Sequence, residues 1–108
     1  MTRKITLTRK KSIIASIMKV YIYVQSGEPY DIELDGIPLR LVDPPLKNGK
    51  TITFEVPTFE LYLYVIFDKR RPKGYNTNFL LPAGEEDIQL YTKPQYNPFA
   101  GNPFRIYE

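Results

Sequence analysis

Polar and apolar residues alternate with period two along most of this chain. In "KITLTRK" (4–10) Ile5 and Leu7 fall on one side, with Lys4, Thr6 and Thr8 on the other. Successive side chains of a strand point to opposite faces, so this pattern predicts a strand with one buried face. Residues 19–24 repeat it, setting Val20, Ile22 and Val24 against Lys19, Tyr21 and Tyr23. The most regular segment is "ELYLYVIFD", where Leu61, Leu63, Val65 and Phe67 alternate with Tyr62, Tyr64 and Ile66. Leu63 and Val65 lie at its centre and are predicted to be core.

Between these segments the turns are written in residue type. "YDIEL" directs Ile32 and Leu34 inward and meets Asp35-Gly36, after which "IPLRLV" returns. Asp-Gly between two alternating runs predicts a two-residue hairpin, because both positions tolerate positive φ. Pro38 places the return strand near a sheet edge, and Asp43-Pro44-Pro45 is expected to end it. Asn48-Gly49 turns the chain into "KTITFEV", with Ile52, Phe54 and Val56 on one face. "KRRPKGYN" reads as a loop and "DIQLYT" as a late strand. No segment carries a helical period. Turn signals recur about every 8–12 residues, the rhythm of a sandwich or barrel. The prediction is all-β: one immunoglobulin-like antiparallel sandwich of about seven to nine short strands. It fills residues 1–108 as a single domain, with a Pro/Asn-rich C-terminal segment at 93–108.

Residues 10–25, "KKSIIASIMKVYIYVQ", raise the question of a leader or membrane anchor. The apolar part is short and contains Ser16, Lys19 interrupts it, and no small-residue cleavage site follows. A spanning helix needs about 20 apolar residues, so this stretch reads as a strand entry, and a cytoplasmic location is the expectation.

Residues 20–67 resemble the PEGA-like class of small bacterial β-sandwich domains. The likeness rests on Leu34-Asp35-Gly36, Asn48-Gly49, Phe54-Glu55-Val56-Pro57 and Leu63-Tyr64-Val65. The family's Gly-x-His before its final strand is replaced by Thr58-Phe59-Glu60. The resemblance implies an immunoglobulin-like sandwich with an accessory or binding role and brings no catalytic residues.

Composition narrows the chemistry. The 108 residues include no Cys, His or Trp. A disulfide framework, a thiolate metal site and the commonest general base are therefore excluded. Ser12, Ser16 and Ser26 are the only serines, and no glycine-rich phosphate loop is present. We therefore expect a non-enzyme without cofactors. Asp31, Glu33, Asp35 and Gly36 imitate the start of a calcium loop. Val42, however, stands where such a loop needs a bidentate acid, and the flanks read as strands, not helices. The same acids are spaced like a glycosidase pair, but an exposed strand offers no burial to raise either pKa.

Two surfaces remain as binding candidates. Tyr21, Tyr23, Tyr62 and Tyr64 fall opposite the apolar residues of their strands. If the strands are neighbours, the rings form one face for a protein, a ligand or a second copy. On that expectation, changing Tyr62 and Tyr64 together to Ser would weaken association more than folding.

Charge supplies the other surface. Residues 1–27 carry six bases and no acid, and 28–68 carry eight acids and three bases. Lys69, Arg70, Arg71 and Lys73 then follow within five residues. Arg9, Lys10 and Lys11 could meet this second cluster and contact a polyanion, which makes an OB-like barrel binding nucleic acid the competing expectation. The tail repeats Asn-Pro-Phe at 97–99 and 102–104, a tripeptide that resembles EH-domain ligands. The simpler account is two tight turns that tuck Phe99 and Phe104 onto the core.

Overall fold

Nine strands form two sheets among the residues that the computed structural model describes: 1–12, 19–66, 76–94 and 104–108, without the side chains of 43, 44, 76 and 77. The strands are β1 (Thr2–Arg9), β2 (Val20–Gln25), β3 (Ile32–Leu34), β4 (Ile37–Leu46), β5 (Thr51–Pro57), β6 (Leu61–Ile66), β7 (Asn76–Leu81), β8 (Ile88–Pro94) and β9 (Phe104–Tyr107). One sheet has the order β5-β1-β8-β9 and the other β3-β4-β2-β6-β7. This is the all-β sandwich that the alternation predicts. β1 and β8 run parallel, whereas every other described pairing is antiparallel.

The two sheets close on one core. Ile5 and Leu7 of β1 meet Val20, Ile22 and Val24 of β2 and Leu63 and Val65 of β6, with Phe104 and Ile106 of β9 alongside. Leu63 and Val65 are fully buried, as their place in the most regular strand predicts.

The turns follow their residue types. Asp35 and Gly36 both have positive φ, 54° and 78°, and join β3 to β4 in two residues. Gly49 (φ 76°) sits in a turn closed by Lys50 N–H donating to Lys47 O at 3.0 Å. This turn moves the chain from one sheet to the other, since β4 and β5 are not neighbours in either.

Three features depart from expectation. β4 does not stop at Asp43-Pro44-Pro45 but continues to Leu46. Its register against β2 slips there: Ile22 faces Val42, yet Val20 faces Leu46. The bulge accommodates residues that lack a ladder donor, so proline is tolerated inside the strand. β7 and β9 are additional strands. β7 pairs with β6 along its whole length, and β9 pairs with β8, which makes residues 104–107 part of the sheet.

Candidate functional site

The four tyrosines do come together, because β2 and β6 are adjacent and Tyr23 lies directly opposite Tyr64. The face they form is not open, however. Tyr23 is 3% exposed and Tyr64 1%. They pack with Leu34, Leu39 and Ile66 in a second apolar cluster, flanked by half-buried Tyr21 and Tyr62. The β3–β4 hairpin bends over this face. Its turn residue Asp35 brings Oδ2 to 3.5 Å from the Tyr64 hydroxyl, although β3 lies three places from β6 in the sheet. As an exposed docking surface the tyrosine face is therefore corrected: its two central rings are core.

Burial, with lesser help from Asp35 and Tyr62, pushes the Tyr64 phenol above its ordinary value, against a hydrogen bond from Asn78 that pulls it down. The unfolded chain thus releases this proton at lower pH than the folded one. Below pH ~10 both states hold it, and as pH rises past ~10 the unfolded state is favoured first. Stability should fall from about pH 10 upward, and Tyr64→Phe should flatten that decline in thermal melts taken as a pH series.

The basic residues divide differently. Arg9 shares the inward side of β1 with Ile5 and Leu7 and is fully buried. Its Nη1 donates to Leu46 O at 2.9 Å, and its guanidinium carbon lies 4.9 Å from the centre of the Phe104 ring. Desolvation lowers its pKa from the ordinary value. Arg9 is a plug between the sheets rather than the surface contact that its basic neighbours suggest. Lys10 and Lys11 are exposed, and Lys10 Nζ sits 4.4 Å over the Tyr91 ring. Lys69, Arg70, Arg71 and Lys73 lie outside the described residues, as do positions 97–103 of the tail. Phe104 is core.

What the fold adds is a set of cations that the sequence disperses. Arg9 N–H donates to Lys50 O, and Lys10 N–H donates to Thr92 O, each at 2.9 Å. Val20 faces Leu46, and Pro94 faces Phe104. The ends of β1, β4 and β8 and the starts of β2, β5 and β9 therefore share one end of the sandwich. Lys10 and Lys11 arrive there from β1, Lys19 from the approach to β2, and Lys47 and Lys50 from the Asn48-Gly49 turn. Lys93 and Arg105 face each other across β8 and β9. Lys19, Lys47 and Lys50 line a cleft of ~490 Å³ together with Pro45, Leu46 and Ile52.

The opposite end carries most of the described acids, with exposed Lys4 and Arg40 among them. Glu28, Asp31, Glu33 and Asp35 lie in and around the β3–β4 hairpin, Glu60 lies before β6, and Glu85, Glu86 and Asp87 lie before β8. Asp31 and Asp35, from the calcium-like run, serve the hairpin. Asp31 Oδ2 accepts from Leu41 N–H at 2.7 Å, and Asp35 forms the turn. Among the described residues no group of three or more Asp or Glu side chains is placed to hold a metal ion. No described helix is long and apolar enough to cross a membrane.

Lys19, Lys47, Lys50, Lys93 and Arg105 are not recognisable as one group in the sequence, since only strand order brings them together. No protein-family model matches this chain, and no curated protein matches it.

Proposed function

We propose that this protein is a non-catalytic binding module that takes a polyanion at its basic end. The observation that carries the reading is the segregation of charge. Cations from the ends of β1, β4 and β8 and the starts of β2, β5 and β9 gather at one end, while the acids of three connections gather at the other. Like charges within a Debye length of about 8–10 Å reinforce one another, so such a cluster attracts an extended anion more strongly than scattered lysines do. The net charge of only +3 does not convey this, because the two ends cancel. Absence of His and Cys favours binding over catalysis, and the PEGA-like resemblance favours an accessory role. A cytoplasmic setting fits a chain without cysteine.

A heparin column developed with a salt gradient tests the proposal. The protein should be retained and elute above physiological salt. Lys47→Glu combined with Lys50→Glu should elute markedly earlier, whereas Glu85→Gln combined with Glu86→Gln at the far end should not. Flow-through of the unaltered protein at low salt would refute the reading.

A further inference from the structure

The outer face of the four-stranded sheet carries a feature that charge alone does not explain. Inward residues of these strands fill the core, so Thr6, Thr8, Gln89, Tyr91, Lys93, Arg105 and Tyr107 point outward. Register sets them in rows. Thr51, Thr8, Tyr91 and Tyr107 lie side by side across β5, β1, β8 and β9. The next row toward the basic end contains Lys93 opposite Arg105, with Lys10 on the neighbouring strand. Tyr91 and Tyr107 are half-buried, and their ring centres lie 5.9 Å apart with the planes tilted by 32°. Lys10 Nζ is 4.4 Å above Tyr91. The Tyr91 hydroxyl lies 3.4 Å from Gln89 Oε1.

We infer that this face binds single-stranded nucleic acid, with bases stacking on Tyr91 and Tyr107 and phosphates held by Lys10, Lys93 and Arg105. The inference rests on the polyanion reading and names its ligand. Two observations select the occupant. First, two exposed cations adjoin the rings: Lys93 stands opposite Arg105, whose Nη1 also donates to Phe104 O at 2.7 Å, and together they present positive charge to an anion. Second, the anion site adjoins two aromatic rings on a face whose other central side chains are hydroxyls and an amide. A sulfated glycan can lay its C–H faces on the rings but has no π-surface to stack, which makes heparin the comparison ligand in the test. A duplex hides its base faces. An unpaired strand offers both phosphates and flat π-surfaces, the combination that single-strand binders use. The Lys10 ammonium over Tyr91 is an exposed cation–π contact, weaker than base stacking, and its flexible stem lets it yield the ring and move to a phosphate. Glu55 lies away from the site, facing Lys4 at the other end of the sheet.

Fluorescence anisotropy with a labelled oligothymidylate, run beside heparin chromatography, tests this. The unaltered protein should bind oligothymidylate more tightly than a duplex of equal length. Tyr91→Leu with Tyr107→Leu should weaken single-strand binding by about ten-fold or more while leaving the heparin elution salt unchanged, and Tyr91→Phe with Tyr107→Phe should restore it. If the Leu pair does not fold, nitration of the unaltered protein decides. Saturating oligothymidylate should protect Tyr91 and Tyr107, and unprotected rings would overturn the inference. Equal binding by the Leu pair, or a preference for duplex, would also overturn it with the polyanion reading intact. Loss of both oligothymidylate and heparin binding in the unaltered protein would remove both.

Discussion

Tyr64→Ser is expected to cost about 3–5 kcal/mol of folding stability, the range for truncating a large buried aromatic side chain. The ring is 1% exposed and packs against Leu39, Ile66 and Tyr23 beneath the β3–β4 hairpin. Serine would leave a cavity. It would also put a short hydroxyl where the phenol now reaches to within 3.5 Å of Asp35 Oδ2. Tyr62→Ser is the internal control. Tyr62 is only half-buried at the edge of the same cluster, so its change should cost under about 1.5 kcal/mol. Chemical denaturation of the two single variants separates them. The double variant is therefore expected to fail in folding rather than in association, the reverse of what strand parity suggests. A loss below about 1 kcal/mol for Tyr64→Ser would mean that the ring is not core and would reopen the face as a docking surface.

Leu63→Ala should cost about 2–5 kcal/mol. Leu63 is fully buried on an interior strand of the five-stranded sheet, facing Val24 on one side and Phe79 on the other. Packed neighbours on both flanking strands cannot collapse into the space, so the cavity term adds to the lost transfer free energy. Against a typical total of 5–15 kcal/mol, this one residue carries a large share of the fold. A change under about 0.5 kcal/mol would place Leu63 on the wrong face, which a register slip of one residue would do.

Local pattern predicts this structure well wherever one rule acts alone. Period two assigns the faces of β1, β2, β5 and β6, and the Asp35-Gly36 hairpin follows from its residue types. Where two rules compete, the outcome depends on tertiary context. Prolines at 44 and 45 argue against a strand, but a bulge opposite Val20 removes the objection. Arg9 belongs to the inward parity of Ile5 and Leu7, and that signal was available. Its place in a basic run masks it, because a buried guanidinium is tolerated only with a partner such as the Leu46 carbonyl, and that partner is visible only in the fold. The tyrosines show the limit of parity most clearly. Alternation tells which side of a sheet a ring occupies, but not that a hairpin from the far edge bends over that side. The basic end and the Tyr91–Tyr107 pair depend on strand order, which a single sequence does not state.

The parallel contact between β1 and β8 bears on how the chain acquires its structure in time. β1 precedes both of its partners by a long stretch of chain: Thr2 faces Pro57, and Ile5 faces Ile88. The five-stranded sheet contains neighbours joined by short loops and can begin to assemble while synthesis continues. The other sheet cannot acquire its central pairing until residues 88–92 of β8 have been made. Non-local pairing of this kind slows folding toward milliseconds to seconds, since loop closure must precede the contacts that reward it. During that interval β1 carries an apolar face and unpaired backbone, the condition in which a nascent strand pairs with the wrong neighbour. Arg3 and Arg9, which flank Ile5 and Leu7 on the inward side, and Lys4 on the outer side then act as guards against aggregation before any of them acts in the finished molecule.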